Sequence, residues 1–283
     1  MSKSSLVWLV TGCSRGIGKA IAETVLKNGH QLVATARKTD SLNYLQGLND
    51  ANLLTLPLDV NAPKAIAQTV EQAQAHFGRI DVLVNNAGYG LEGMAEEVTM
   101  EQVRHQMETN FFGLVDLTQR ILPGMRERQQ GWVFNIASVA GLMGFRGMSI
   151  YNASKFAVVG FSEALQQEMK PFNVQVVSIE PGPYRTDWAG SSLIRSEALQ
   201  TMNPDSPYLE QNQKVDKIMQ EGDGNQPGDP YQIAEVLFSA THGEACPVHM
   251  LFGDEAILYW EKKQEKLQDP DYFRTYPHSK RTV

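Results

Sequence analysis

The stretch TGCSRGIG, from Thr11 to Gly18, follows one apolar run and opens an amphipathic one. Gly12 permits a tight turn, Gly16 lets backbone amides approach a pyrophosphate, and Gly18 allows a helix to pack closely on a strand. The spacing is G-x-x-x-G-x-G, which differs from the more usual G-x-G-x-x-G. A plain strand-to-helix turn would also use glycines, but the position after the first apolar run favours a phosphate-binding loop.

Short apolar runs alternate with longer amphipathic stretches through the rest of the chain. The runs are nearly continuous, as in strands that are covered on both faces. Two amphipathic stretches, GKAIAETVLKNG from Gly18 and APKAIAQTVEQAQAHFG from Ala62, end at a glycine, as helices often do. The predicted strands are LVWLVT from Leu6, QLVATA from Gln31, NLLTLPL from Asn52, IDVLVNN from Ile80, GWVFNIAS from Gly131, NVQVVSIE from Asn173 and PVHMLFG from Pro247.

This repeated β-α order predicts an α/β fold of the Rossmann type. We expect a doubly wound parallel sheet of about seven strands with helices on both faces. Residues 1–283 are expected to form a single domain. The long polar segment at residues 188–229, punctuated by proline and glycine, is expected to be a lid or substrate-binding loop. Residues 254–283 are expected to form a C-terminal helix and tail.

Composition and charge exclude several classes of protein. A formal net charge of -7, with basic residues scattered singly or in pairs, argues against nucleic-acid binding. The longest apolar runs fall below the roughly 18 residues that span a bilayer, and the N-terminal run is too short for a signal peptide. Cys13 and Cys246 lie far apart without C-x-x-C spacing, which favours a reducing compartment. We therefore expect a soluble, cytoplasmic protein with no membrane partner.

Six further motifs follow the glycine loop in order along the chain. They are LDV from Leu58, NNAG from Asn85, METNFFG around Asn110, NIAS ending at Ser138, YNASK from Tyr151 and PGPYRT from Pro181. With this set the chain resembles the classical short-chain dehydrogenase/reductase family over about its first two thirds. The resemblance is closest to the branch similar to 17-beta-hydroxysteroid dehydrogenases, through NNAGYGLEG, PGPYRT and the tail after FGDEA.

Tyr151 and Lys155 are four residues apart and therefore lie on one face of a predicted helix. A nearby lysine charge and the positive nicotinamide ring would favour the phenolate and bring the tyrosine pKa from near 10 toward neutrality. Tyr151 is then the general acid of carbonyl reduction, and Ser138 would bind the substrate oxygen. The resemblance implies that Lys155 also binds the nicotinamide ribose and that Asn110 holds a water that relays protons to Lys155.

The end of the second predicted strand indicates which nicotinamide cofactor is used. An acidic residue there would bind the ribose 2'-hydroxyl and repel a 2'-phosphate. In VATARK, Ala36 takes that position and Arg37 follows it, while Arg15 supplies a second guanidinium from the glycine loop. Two guanidinium groups suit a phosphate, so we predict NADP(H) as the cofactor. The alternative is that both arginines are solvated surface cations.

The resemblance implies further cofactor contacts. Asp59 would contact the adenine, and the NNAG motif would border the adenosine ribose. Tyr184 stands where a small aliphatic residue is common in the family, so we expect it to reshape the nicotinamide pocket. The predicted cofactor-binding residues are Gly12, Ser14, Arg15, Gly16, Ile17, Gly18, Arg37, Asp59, Val60, Asn86, Ala87, Gly88, Tyr151, Lys155, Pro181, Gly182, Tyr184 and Thr186.

The stretch VAGLMGFRGMS, from Val139, carries apolar side chains between Ser138 and Tyr151. Flexible methionines suit an apolar ketone or aldehyde better than a sugar or a charged acid. The same side chains could instead belong to the core. The predicted substrate-binding residues are Tyr89, Met143, Phe145 and Met148, with Leu91 and Leu142 nearby.

These patterns predict an NADPH-dependent oxidoreductase that transfers hydride between the nicotinamide and an apolar carbonyl compound, or in reverse oxidises a secondary alcohol. The alternative is a non-catalytic dinucleotide-sensing protein on the same fold. The joint presence of Asn110, Ser138, Tyr151 and Lys155 favours catalysis. No metal site is predicted, because His242, Cys246 and His249 offer no second pair with ligand spacing.

The resemblance also implies a homodimer or homotetramer. The contact helices would contain residues 110–128 and 149–170. Apolar side chains compatible with such an interface are Phe111, Leu114, Leu117, Phe156, Val159 and Leu165.

Overall fold

The computed structural model describes residues 5–187, 190, 192–243 and 245–274. Its strands are β1 (Val7–Val10), β2 (Gln31–Ala36), β3 (Leu53–Pro57), β4 (Val82–Asn85), β5 (Gly90–Glu92), β6 (Gly131–Ile136), β7 (Val174–Pro181), β8 (Leu193–Arg195) and β9 (His249–Phe252). Seven of them form a parallel sheet in the order β3-β2-β1-β4-β6-β7-β9, and β5 pairs with β8. This confirms the predicted Rossmann-type α/β fold.

α-Helices lie between successive strands of the seven-stranded sheet, except between β2 and β3, and cover both of its faces. They are α1 (Gly16–Lys27), α2 (Pro63–Phe77), α3 (Met100–Met107), α4 (Gly113–Arg128), α5 (Ser149–Met169), α6 (Glu197–Thr201), α7 (Leu209–Gly222), α8 (Pro230–Ala240) and α9 (Asp254–Gln268). A π-helical turn, Glu108–Phe112, joins α3 to α4, and a short 3-10 turn, Val139–Gly141, follows β6.

Alternate residues of the central strands enter two separate apolar cores. Trp8 and Ala34 belong to the core on one face of the sheet, whereas Leu9 and Val33 belong to the core on the other. All four side chains are fully buried. Because both faces of each strand need apolar residues, the sequence of these strands is a continuous apolar run and not an alternation of apolar and polar residues.

The carboxyl ends of β1, β4, β6 and β7 meet at one edge of the sheet because these strands are parallel neighbours. The glycine loop, NNAG, Ser138 and the PGPYRT loop each follow one of these strands. The strand order changes direction between β1 and β4, and open α/β sheets bind ligands at such a point. The fold thus gathers motifs that are distant in sequence.

Residues 188–229 form more regular structure than the polar loop that the sequence predicts. The segment contains β8, α6 and α7, while its residues 188, 189 and 191 lie outside the described residues. In α7 only Asn212 and Val215 are buried, and most of its residues are polar, so the sequence of this segment resembles a polar loop. The carboxylate of Glu97 accepts hydrogen bonds from Ser206 and, at 3.0 Å, from Asn212. These bonds attach the segment to the chain that follows β5; its action as a lid stays a prediction.

Of residues 254–283, the structure describes α9 and the chain up to residue 274. Residues 275–283 of the predicted tail lie outside the described part. Among the described helices, none combines the length and the apolar character needed to cross a membrane.

Candidate active site

The first turns of α5 hold the predicted catalytic pair. Tyr151 and Lys155 are both buried, and Nζ of Lys155 lies 5.7 Å from the centroid of the Tyr151 ring. This Nζ donates a 2.7 Å hydrogen bond to the carbonyl of Ile136 at the end of β6. Burial lowers the pKa of Lys155 to about 8, because the charged form is poorly solvated there. The ammonium is thus charged at neutral pH and is held beside the phenol.

Ser138 lies just beyond the end of β6, where its side chain hydrogen-bonds the hydroxyl of Tyr151. Its Oγ also accepts a 3.0 Å hydrogen bond from the amide of Ala140, because Ser138 caps the following 3-10 turn. Burial raises the pKa of Tyr151 to about 12, and the bond to Ser138 opposes this rise only in part. The phenol is therefore protonated at neutral pH and can donate its proton.

Asn110 lies in the π-helical turn between α3 and α4. Single-turn π-bulges are frequent at functional sites. Nδ2 of Asn110 donates to Ser154 Oγ and to the carbonyl of Tyr89, both at 3.0 Å, and Oδ1 accepts from the amide of Tyr89 at 3.1 Å. A Cβ at Gly88 would lie 3.1 Å from this Oδ1 and 3.8 Å from Nζ of Lys155. The structure therefore brings all four predicted catalytic residues to one place.

The glycine loop is shaped by close contacts that a larger residue would break. Gly12 and Gly16 have φ of 71° and 57°, in the left-handed region that favours glycine. A Cβ at Gly18 would lie 2.4 Å from both the carbonyl of Gly12 and Nδ2 of Asn86. That Nδ2 donates hydrogen bonds to the carbonyls of Thr11 and Gly12 at 2.8 and 3.1 Å. Asn86 therefore ties the end of β4 to the glycine loop.

The amino end of α1 has the properties of an anion-binding site. Within the described residues, no side chain caps this helix at Arg15, and its first turn has no acidic residue. Its first amides are thus available to a ligand, and the helix dipole favours an anion. Thr186 lies over Gly16, with Cβ 3.2 Å from where a Cβ of Gly16 would be. These residues and Ser14 line a groove of about 690 Å³, so the site fits the pyrophosphate of a dinucleotide.

The residues predicted to bind the adenosine end follow two adjacent strands. Ala36 ends β2 and is buried, and the exposed Arg37 follows it. Asp59 follows β3, where it is exposed and its Oδ1 accepts a 3.0 Å hydrogen bond from the amide of Asn61. Val60 is buried. Arg37 and Asp59 therefore lie at the same sheet edge as the glycine loop, on the side of β2 and β3.

β7 ends at Pro181, and the loop after it is held by the amide of Gly182, which donates a 2.9 Å hydrogen bond to the carbonyl of Phe252. The ring of Tyr184 is buried in the apolar core and packs on Gly228, where a Cβ would lie 2.6 Å from the ring. The expectation that Tyr184 reshapes the nicotinamide pocket stays a prediction. Its large ring fills space that a side chain at residue 228 would otherwise take.

The predicted substrate residues surround Tyr151 in part. Met148 forms an apolar cluster with Ala140 and Tyr151, and Phe145 packs against this cluster. Tyr89 lies on the side of Asn110, where its hydroxyl is 2.7 Å from Nδ1 of His105. Leu91 is fully buried and Leu142 packs in a separate core cluster, so both serve packing.

Three residues near this cluster were not predicted from the sequence. Met219 of α7 packs against the cluster of Met148 and Tyr151, and Tyr259 of α9 packs edge-on against Phe145 at a ring distance of 5.2 Å. Asn152 fixes the backbone of the loop after Ser138. The first two come from segments without a motif, and the role of Asn152 depends on backbone atoms that a sequence pattern does not locate.

Comparison with known proteins identifies the class that this fold and site define. Residues 6–195 match the family described as short chain dehydrogenase. The chain therefore belongs to the short-chain dehydrogenase family of oxidoreductases, whose members use NAD(H) or NADP(H).

Two relatives illustrate the range of similarity. Oxidoreductase calM from Penicillium decumbens is 39% identical over 273 residues, which cover 93% of this chain and 88% of that protein. A 3-ketodihydrosphingosine reductase from Bacteroides thetaiotaomicron is 40% identical over 186 residues, or 66% of each chain.

Solved structures share the fold over most of the chain. A short-chain dehydrogenase from Streptomyces avermitilis is 33% identical, with a TM-score of 0.84, and covers 94% of this chain and 97% of its own. A serine dehydrogenase complexed with NADP+ is 29% identical, with a TM-score of 0.72 and coverage of 87% and 94%. A Burkholderia phymatum protein in complex with NAD has a TM-score of 0.83 at 24% identity and 99% coverage of both chains. Both nicotinamide cofactors thus occur on this fold.

Proposed function

We propose that the protein reduces an apolar ketone or aldehyde with NADPH and, in reverse, oxidises a secondary alcohol. The observation that carries the proposal is the hydrogen bond between Ser138 and the Tyr151 hydroxyl, with the Lys155 ammonium one turn further along α5. Two neighbouring hydroxyl groups can bind one carbonyl oxygen from two sides. When bound, the nicotinamide supplies or accepts the hydride.

Each of the four proposed catalytic side chains has its own role in the reaction. Tyr151 donates its proton to the carbonyl oxygen, since its raised pKa keeps it protonated at neutral pH. Ser138 hydrogen-bonds the same oxygen and stabilises the negative charge that develops there. Lys155 stabilises the phenolate that remains, and its ammonium and Asn110 border the route by which a proton returns.

NADPH is the proposed cofactor because of the charges around the adenosine end. Arg37 is exposed directly after β2, and Arg15 lies in the glycine loop. Ala36 puts no carboxylate at the end of β2, so a 2'-phosphate would meet cations and no repelling anion there. The NADP+ complex of the related serine dehydrogenase supports this choice. A protein of the same fold binds NAD, so the preference must be measured for this chain.

An apolar substrate is proposed because of the surroundings of Tyr151. Met148, Phe145 and Met219 pack around it, and methionine side chains adapt to varied apolar shapes. The related 3-ketodihydrosphingosine reductase is named for a long-chain ketone. We propose a lipid-like or similarly apolar carbonyl compound as the substrate class, with residues 188–229 acting as its lid.

We further propose a homodimer or homotetramer in the cytoplasm. The proposed assembly follows from the family resemblance and from exposed aromatic side chains on the outer helices. The cytoplasm suits the two cysteines, Cys13 and Cys246, which are both unpaired.

The test is a panel of apolar ketones and aldehydes, with sugars and keto acids as controls, followed by absorbance of the reduced cofactor. We expect turnover with apolar carbonyls and NADPH. Saturable cofactor binding without turnover on any carbonyl or alcohol would contradict the proposal and favour a dinucleotide sensor. Turnover confined to keto acids would contradict the substrate class alone.

A further inference from the structure

Asn152 follows the catalytic tyrosine on α5, yet its side chain points back to the loop that carries Ser138. Nδ2 donates hydrogen bonds to the carbonyls of Ala140 and Met143, both at 2.7 Å. Oδ1 accepts a 3.0 Å hydrogen bond from the amide of Phe145. The residue is 6% exposed. One buried amide thus holds three backbone groups between Ser138 and Tyr151.

These bonds require an asparagine. Two backbone carbonyls need N–H donors and one backbone amide needs an acceptor, and a carboxamide supplies two N–H donors on its nitrogen together with an acceptor oxygen. Aspartate has the same shape but no N–H, so its oxygens would face the carbonyls of Ala140 and Met143. Glutamine carries an extra methylene that would displace the amide from all three partners.

A continuous path of hydrogen bonds joins Asn152 to the proposed catalytic serine. The backbone of Ala140 makes both bonds: its carbonyl accepts from Asn152, and its amide donates to Oγ of Ser138 at 3.0 Å. The position of the Ala140 backbone therefore determines the direction from which its amide hydrogen-bonds Ser138 Oγ. Ser138 in turn hydrogen-bonds the hydroxyl of Tyr151.

We propose that Asn152 is a positioning residue that holds Ser138 against Tyr151 and fixes the substrate wall at Met143 and Phe145. This inference rests on the proposed function. One side chain thus supports two parts of the proposed active site. The bond to Ala140 holds Ser138 and so affects the rate of hydride transfer. The bonds to Met143 and Phe145 hold the substrate wall and so affect substrate binding. A displacement of about 1 Å at such a site can cost a factor of about 100 in rate.

The first test compares Asn152→Asp and Asn152→Ala with wild type in single turnovers of NADPH and an apolar ketone. Both variants should lower the transfer rate by about 10- to 100-fold and raise KM for the ketone, while the Kd for NADPH stays close to wild type. Because aspartate fills the same space, a purely packing role would leave Asn152→Asp near wild type. That result would overturn the proposal.

The second test repeats both substitutions in a Ser138→Ala background. If Asn152 acts on the rate through Ser138, its substitution should scarcely lower the residual transfer rate there, although KM should still rise. An equal loss of rate in both backgrounds would contradict the path through Ser138. Gln166→Ala is the matched control, because Gln166 also lies on α5 and accepts a 2.8 Å hydrogen bond from a backbone amide, that of Val176. It should leave the transfer rate unchanged.

Hydrogen exchange separates failure of this inference from failure of the proposed function. In Asn152→Ala, amides at residues 138–145 should exchange faster than in wild type, whether or not any carbonyl is reduced. Unchanged exchange there would overturn the positioning role. Wild type without carbonyl turnover, but with faster exchange in the variant, would contradict the proposed function and leave the positioning of this loop in place.

Discussion

At the level of single residues, burial moves the pKa values of Tyr151 and Lys155 in opposite directions. It raises the pKa of Tyr151 to about 12 and lowers that of Lys155 to about 8. These pKa values reflect the chain's own groups alone, so the interpretation that a lysine charge and the positive nicotinamide ring together bring the tyrosine pKa toward neutrality stays a prediction. Burial is the larger cause of the raised tyrosine pKa, and a protonated phenol suits a proton donor in the reductive direction.

This pair predicts how carbonyl reduction depends on pH. Lys155 is charged below its pKa of about 8 and neutral above it, so the transfer rate should fall as pH rises through about 8. Tyr151 does not account for a fall in that range, because its pKa is about 12. Single-turnover rates at saturating NADPH, measured across this range, test the prediction.

Lys155→Arg provides the control, since a guanidinium keeps its charge at any pH in this range. Any rate that remains in this variant should not decline near pH 8. A wild-type rate that is flat through pH 8, or that rises there, would contradict a role for the lysine charge.

The grouping of the proposed catalytic residues could be predicted from sequence because each occupies a motif at a strand or helix end. Ser138 and Tyr151 are examples: the end of an apolar run and the start of a helix place them. Asn152 could not be predicted as a positioning residue, since its partners are backbone groups of a loop with no regular pattern. The packing of the Tyr184 ring on Gly228 could not be predicted either, because nothing in the sequence places these two residues together.

At the level of elements, the seven strands of the main sheet were predictable, whereas β5, β8 and α7 were not. Strands buried on both faces need apolar residues at every position, so each leaves a continuous run in the sequence. The polar α7 leaves no such signal, because little of its surface is buried. The π-helical turn at Asn110 has no sequence signature either, and its extra residue per turn is visible only in the backbone.

The ends of β1 and β2 predict the cofactor preference. If Arg15 and Arg37 both contact the 2'-phosphate, each charge-assisted contact contributes about 1.5 to 3 kcal/mol, so NADPH should bind about tenfold or more tighter than NADH. Arg15→Ala should weaken NADPH and scarcely change NADH. Ala36→Asp combined with Arg37→Leu should reverse the order, since the new carboxylate repels the phosphate and accepts a hydrogen bond from the ribose. Parallel titrations of both cofactors measure this.

Arg126→Leu is the control for these titrations, because it removes an exposed cation from α4, away from the glycine loop. It should leave both affinities unchanged. Equal affinity of wild type for NADH and NADPH would mean that Arg15 and Arg37 are surface cations.

At the level of the whole molecule, most of the side chains predicted to form a contact between subunits are buried within their own chain. Four of the six apolar residues expected at an interface are buried within their own chain. Phe111 is partly covered by the core cluster, and only Phe156 is largely exposed. Phe112 is exposed as well. The buried ones are Leu114, Leu117, Val159 and Leu165.

We predict that Phe112 and Phe156 lie in the contact of a homodimer or homotetramer. Light scattering of wild type should give a multiple of 31.5 kDa, and Phe156→Glu should lower that mass by placing a charge in the contact. Leu48→Glu is the control, because Leu48 is similarly exposed, at 40% against 42% for Phe156, but lies on another part of the surface. A wild-type monomer would contradict the prediction.

The central claim is that Tyr151 donates the proton in carbonyl reduction, and Tyr151→Phe tests it most directly. The substitution removes the hydroxyl and leaves the ring and the glycine loop in place. The single-turnover rate with NADPH and an apolar ketone should fall by about 100-fold or more, while the Kd for NADPH stays close to wild type. Retention of most of the rate, at unchanged cofactor affinity, would contradict the claim.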